Sequence, residues 1–280
     1  MPKQTVQTDR NFDSLIDKFE KRVYDTVKGD WRLKLLKEDL DFLRNSQYSP
    51  GLADSAQTSL PTPLSKPLSI WDAGCGFAQM GQWFAEAGHD LTLCDLSQKM
   101  LARAQQNFAD QQLEATFLHG SAQSLAPELP AFDLVLFHAV IEWLADPKTG
   151  LQTVADKVRP GGYLSLLFYN RNAFVYNNVL KGSWRWEHIL SDAYIGKGKK
   201  LTPPNPQYPE DMIEQLEALG FEIRQQTGIR VFHDYLTPQV LADSDPDELL
   251  ALEYRYCRHA TYRHMGRYIH FLAYKPETES

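Results

Sequence analysis

Leu68-Ser69-Ile70-Trp71-Asp72-Ala73-Gly74-Cys75-Gly76-Phe77-Ala78 decides how the rest of the chain is read. It opens as a buried strand and breaks on two glycines. A helical pattern follows at once in Met80, Trp83, Phe84 and Ala87. Glycine is needed at such a break because a backbone without Cβ turns tightly and lets a ligand lie against it. A second apolar run, Leu91-Thr92-Leu93-Cys94, then ends in Asp95. Strand, glycine turn, helix, strand and acid follow in that order, and an acid at the tip of the second strand can take both hydroxyls of a ribose, while two glycines alone suit an ordinary turn equally well. The third glycine of the dinucleotide fingerprint is absent, and Ala78 stands in its place.

Downstream the chain alternates strand and helix, the pattern of a parallel sheet covered on both faces. Strands are expected at 68–73, 90–95, 115–119, 132–138 and 161–169, and helices at 79–87, 97–109 and 149–158. Pro160-Gly161-Gly162 closes the last of these helices, and Ser97 caps the second. A helix over 209–219, a sixth strand ending before Arg230, a helix over 246–258 and a strand over 267–274 complete the sheet. Upstream, Phe12, Leu15, Ile16, Phe19 and Val23 repeat at helical spacing, as do Leu33, Leu36, Leu40 and Leu43. Two helices are expected there, with a break at Gly29 and a frayed tail over 1–9. This gives an N-terminal helical extension (1–45), a linker rich in proline and serine (46–67), and an α/β domain (68–276) with an insertion at 171–208.

With 29 basic and 36 acidic side chains, the net charge is −7. The chain as a whole is no basic nucleic-acid binder, though a local basic face is compatible with that balance. Cys75, Cys94 and Cys257 have neither metal spacing nor a disulfide framework, which implies no metal and a reducing, cytoplasmic address. The polar first residues carry no secretory signal, and the run Leu134–Ile141 is far too short to span a bilayer.

Ligands of such sheets bind beyond the carboxyl ends of the strands, so the residues there are the candidates. Gln123, after the third strand, suits either an adenine edge or the first turn of a helix. His138, after the fourth, suits a structural hydrogen bond, a general base or a cofactor contact, and its place at a strand tip favours the last. Tyr169 to Asn172 follow the fifth. Six cations within 171–208 stand against Glu187 and Asp192, interleaved with Tyr176, Trp184, Trp186 and Tyr194. That mixture suits single-stranded nucleic acid or a solvated loop. Arg255 to Lys275 add five cations and no acid.

Asp72-x-Gly74-x-Gly76 resembles the first motif of the class I S-adenosylmethionine (SAM) methyltransferases, and Asp95 their second. The expected fold is therefore α/β, a Rossmann-like seven-stranded sheet with helices on both faces. The resemblance narrows at Asp9-Arg10-Asn11-Phe12-Asp13, at Lys28-Gly29 followed by Arg32, and at Leu136-Phe137-His138-Ala139-Val140. It continues through Phe168-Tyr169-Asn170, Arg230-Val231-Phe232-His233-Asp234-Tyr235-Leu236 and Gly266-Arg267-Tyr268-Ile269-His270. These words resemble the bacterial tRNA 5-carboxymethoxyuridine methyltransferases from about Asp9 to Pro276. The resemblance implies SAM as cofactor, with contacts at Arg32, Gly74, Cys75, Gly76, Asp95, Ala122, Gln123 and His138. It implies a tRNA anticodon loop as partner and methyl transfer to the carboxylate of 5-carboxymethoxyuridine. Arg230 is then expected to fork onto that carboxylate, with Tyr169 and His233 beside it, a structural ion pair being the equal alternative for Arg230. Two other readings compete: a SAM-dependent O-methyltransferase of a small carboxylic acid or phenol, and a non-catalytic SAM- or tRNA-binding module.

Overall fold

The computed structural model describes residues 8–16, 20, 26–45, 67–190 and 202–277. Seven strands form one sheet: β1 (Ser69–Ala73), β2 (Asp90–Asp95), β3 (Thr116–His119), β4 (Phe132–His138), β5 (Val158–Tyr169), β6 (Glu222–Ile229) and β7 (Tyr268–Tyr274). Their order is β3-β2-β1-β4-β5-β7-β6, parallel except that β7 runs antiparallel to both its neighbours.

Alternation along the strands separates two cores. Ile70, Leu134 and Leu136 pack on one face with Leu35, Leu36 and Leu40 of α1 (Val27–Arg44), Phe84 of α2 (Gln79–Ala85) and Phe108 of α3 (Gln98–Asp110). Trp71, Val135 and Phe137 point the other way. They meet Ala122 of α4 (Ala122–Leu125), Val154 of α5 (Pro147–Asp156) and Leu216 of α8 (Pro209–Ala218). This period-two division is what a strand buried on both faces produces. Helices α6 (Arg171–Leu180), α7 (Trp186–Leu190), α9 (Pro238–Asp243) and α10 (Pro246–Tyr256) follow, with short 3-10 turns between elements.

Several expectations shift. Gly29 does not break a helix. It lies in the first turn of α1, where the Thr26 hydroxyl caps its N–H at 3.1 Å. Helical propensity counts against glycine, but a side-chain cap and burial against the sheet outweigh about 1 kcal/mol. Residue 9 does not fray: one oxygen of Asp9 accepts from the Ala145 N–H at 2.8 Å and the other from Gln123 at 3.2 Å. The region from 171 begins as a helix, α6, capped by Asn170. β5 begins before Pro160 and Gly161, because Phe132 pairs with Val158 across a register shift. The helix expected through Phe19 and Val23, the linker up to residue 66, and Tyr194, Lys197, Lys199 and Lys200 lie outside the described residues.

Candidate functional site

The glycine turn after β1 is fixed by its neighbours. The Cys94 carbonyl accepts from the Gly74 N–H (2.9 Å) and the Cys75 N–H (2.8 Å). Gly74 has φ +95°, and a Cβ there would sit 2.5 Å from a Val140 methyl, so only glycine fits. Ala78, in the place of the third glycine, is left-handed at φ 56° and caps α2 from that conformation. A residue other than glycine pays about 1–2 kcal/mol there. Ala78 is fully buried, and the surrounding core holds it in place.

Asp95 ties the turn to the next strand. Its Oδ2 accepts from the Gly76 N–H at 2.9 Å and its Oδ1 from the Ser97 N–H at 2.7 Å. Each carboxylate oxygen keeps a second lone pair for a ligand. Burial raises the Asp95 pKa against the opposing pull of those N–H groups.

A single cavity opens beyond the carboxyl ends of β1, β2 and β4, and all eight expected cofactor residues line it: Arg32, Gly74, Cys75, Gly76, Asp95, Ala122, Gln123 and His138. Met100, Leu96 and Leu144 give it apolar walls. Gln123, open between two readings in the sequence, both starts α4 and faces the cavity. Asp9, Arg10 and Phe12 form a strap across it, with the Phe12 ring edge-on to Trp143 at 5.0 Å. His138 is kept neutral, its pKa driven well below the usual imidazole range by burial and by His270 and Arg32. Burial also pushes the Cys75 thiol well up and the Cys94 thiol up to about 12, so neither is a nucleophile at neutral pH.

Asp72, which also lines the cavity, has its pKa raised to about 7 by burial and then by the charge of Asp95. Because this is far above an unfolded carboxyl, near 3.9, the folded chain takes up a proton there as pH falls below about 7. A cation in the cavity favours the ionised form. Affinity for a sulfonium ligand is therefore expected to rise between pH 6 and 8, with proton release on binding. In Asp72→Asn that pH dependence should disappear in calorimetry. An identical pH profile in both proteins would exclude Asp72 as the titrating group.

The residues expected to grip the acceptor do not line this cavity. Two of them, Tyr169 and Arg230, pack against Tyr268, which does. Tyr169 meets Tyr268 edge-on at 5.3 Å and carries the Arg267 guanidinium over its ring at 4.7 Å. Arg230, expected to fork onto a substrate carboxylate, is instead turned onto Asp234, with Nε 3.1 Å from Oδ2. It is only 7% exposed, donates to the Lys28 carbonyl at 3.3 Å, and adopts φ +61°. His233 also contacts Asp234, at 3.3 Å, and sits edge-on to Trp31.

Asp234 is thus a hub that the sequence did not single out. Lys28 reaches it at 3.0 Å and Arg267 at 3.8 Å. Burial alone would raise its pKa, but the His233 hydrogen bond and the charges of Arg230, Lys28 and Arg267 hold it far below the carboxylate range. Of the surrounding cations, Lys28 is 50% and Arg267 23% exposed. The positive field spreads to the insertion, where burial and then Arg267 and Arg185 lower the Lys181 pKa. The two basic stretches therefore meet only in part. Arg258 turns onto Asp39 and Glu38, and Lys275 onto the carbonyls of Ala155 and Val158.

A glycine turn, a ribose acceptor, an ionisable acid and apolar walls suit SAM. The Methyltransferase domain family matches residues 71–166. The tRNA 5-carboxymethoxyuridine methyltransferase of Escherichia coli (strain K12) is 38% identical over 274 residues, covering 97% of this chain and 98% of that protein. The chain belongs to the tRNA 5-carboxymethoxyuridine methyltransferase family. It is a SAM-dependent methyltransferase, and SAM is its cofactor. The ubiquinone biosynthesis O-methyltransferase of Sinorhizobium fredii is 30% identical over 194 residues, covering 67% of this chain and 72% of that one. Magnesium protoporphyrin IX methyltransferase from Synechocystis, solved with bound SAH, superimposes with a TM-score of 0.59 at 16% identity, over 94% of this chain and 96% of that one. The fold is shared at that distance. Among the described residues, no cluster of His, Cys, Asp or Glu is placed to hold a metal ion, and no helix is long and apolar enough to cross a membrane.

Proposed function

We propose that this chain methylates the carboxylate of 5-carboxymethoxyuridine at the wobble position of tRNA, giving the methyl ester 5-methoxycarbonylmethoxyuridine. The observation that carries this reading is the cationic cluster around Asp234, which shares the Tyr268 wall with the SAM cavity. A neutral phenol would gain nothing from it.

The chemistry asks little of the protein in proton transfer. A carboxylic acid with a pKa near 4 is ionised at neutral pH, so no general base is needed. SAM supplies an electrophilic methyl on a sulfonium. The protein supplies position: the glycine turn, Asp95 and Arg32 hold one reactant, and the cations hold the other. Alignment of this kind supplies roughly 7–11 kcal/mol of rate acceleration. Arg267 and Lys28, the more exposed cations, take the substrate carboxylate. Arg230 and His233 hold Asp234, which spaces those cations, and Tyr169 backs the Tyr268 wall. On this reading residues 68–276 form the catalytic unit and α1 covers it.

The anticodon loop docks on the insertion. Trp184 is 67% exposed, Trp186 50% and Tyr176 46%, and the Arg185 guanidinium stacks over Trp184 at 4.2 Å. Exposed aromatic faces beside cations stack unpaired bases. Binding of tRNA is expected to weaken steeply with salt, by about 0.7 in log K per log unit of salt for each single-strand phosphate contact, while SAM binding stays flat. A salt-independent tRNA affinity would favour the small-molecule acceptor. The deciding experiment is mass spectrometry of wobble nucleosides from cytoplasmic tRNA of cells with and without the protein. Loss of the methyl ester, with 5-carboxymethoxyuridine accumulating, is expected. An unchanged ester level would overturn the assignment.

A further inference from the structure

A chain of buried polar side chains runs from the cavity across the sheet to the far side of α1. His138 Nε2 lies 2.7 Å from Ser165 Oγ on β5. Ser165 Oγ lies 2.9 Å from His270 Nε2 on β7. His270 Nδ1 lies 2.6 Å from Asp39 Oδ2 on α1. Asp39 Oδ1 accepts from Arg258 Nη2 at 2.7 Å and from its Nε at 3.1 Å. Ser165 and His270 are fully buried within the aliphatic core that α1 shares with the sheet. Polar groups there cost stability unless every one is bonded, and an apolar pair would fill the same space. Neither side chain lines the cavity. What they do is connect it to a charge.

The direction of the hydrogen bonds follows from the anchored end. Asp39 is ionised: against burial, its hydrogen bonds with His270 and Thr227 and the charge of Arg258 lower its pKa. It therefore accepts the Nδ1–H of His270. With one proton, on Nδ1, His270 offers only a lone pair at Nε2, and Ser165 donates its hydroxyl proton there. Ser165 in turn accepts the Nε2–H of His138. A doubly protonated His270 would reverse the two bonds at Ser165 and leave the bond to Asp39 unchanged.

We propose that Ser165, His270 and Asp39 are positioning residues that lock His138 with its proton on Nε2, so that Nδ1 presents a lone pair to the donor groups of bound SAM. This rests on the assignment of the cavity to SAM and of His138 to its wall. The relay also fixes α1 on the sheet, and α1 carries Arg32 to the same cavity.

Long-range proton–nitrogen correlation spectra read the imidazole tautomer directly. In the wild-type chain His138 is expected to show a protonated Nε2 and a bare Nδ1. A wild-type His138 protonated on Nδ1 overturns the proposal without any variant. Ser165→Ala removes the link with little change of volume. It is expected to let both His138 tautomers appear and to weaken SAM about three- to ten-fold, with the fold retained. Asp39→Asn should shift the same tautomer signal from three side chains away. A packing role would lower thermal stability and leave the tautomer alone, and that result also overturns the relay. His138→Ala is the separate control: unchanged SAM affinity in that variant removes His138 from the site, a failure of the underlying assignment distinct from a failure of the relay.

Discussion

Replacing Asp95 by alanine is expected to weaken SAM binding by one to two orders of magnitude. Two losses combine. The ribose hydroxyls lose a charged acceptor, and hydrogen bonds to charged groups are worth about 1.5–3 kcal/mol. The Gly76 and Ser97 N–H groups lose the oxygens that set the turn, at 2.9 and 2.7 Å. At about 1.4 kcal/mol per tenfold, the first loss alone spans roughly ten- to a hundredfold. Asp95→Asn is instructive because it keeps the shape. Its amide nitrogen must face one of two N–H donors, so it restores only half of the anchor. Calorimetry on folded variants measures both. An affinity within twofold of wild type for Asp95→Ala would remove this residue from the site.

The second large effect concerns stability. Asp234→Ala leaves Arg230, 7% exposed, without its carboxylate partner. Breaking a buried ion pair from one side costs about 3–5 kcal/mol, against a total stability of about 5–15 kcal/mol for an ordinary domain. The pH dependence has a definite sign. The folded pKa of Asp234 is depressed below its unfolded value, so the unfolded chain binds the proton more readily. The stabilisation is fully present above about pH 4, the unfolded range, and is lost as pH falls through the folded value. Asp234→Asn should therefore be less stable than wild type at pH 7 and approach it in strong acid. Urea unfolding at several pH values tests this. A loss under 1 kcal/mol at pH 7, or a gap that widens in acid, would contradict the hub.

The cofactor half of the molecule was legible because its chemistry is local. Gly74, Gly76 and Asp95 announce themselves through strand and turn signals within about thirty residues, and a turn that admits no Cβ leaves few alternatives. The acceptor half was not legible in that way. Arg230 stayed open between a substrate anchor and a structural ion pair, because Asp234 follows at a spacing that means contact only in an α-helix, and no α-helix spans the two. Asp39 and His270 are separated by 231 residues, and no pattern within either segment signals the pairing. Asp9 was misread because a polar segment that is pinned by hydrogen bonds looks, in one dimension, like one that is not. Gly29 misled for a related reason: a propensity of about 1 kcal/mol is smaller than the burial that overrides it.

The position of β7 bears on how the chain is made. It lies between β5 and β6, so β6 touches the rest of the sheet only through a strand synthesised after it. As the chain emerges in order, β1 to β5 meet their neighbours as soon as those exist. β6 must wait, and with it the loop that holds Arg230, His233 and Asp234. Tyr268, the wall between the two halves of the site, and His270, the middle of the relay, arrive on that same last strand. The nucleoside pocket can begin to form early in translation, whereas the apparatus for the acceptor closes in a single late step.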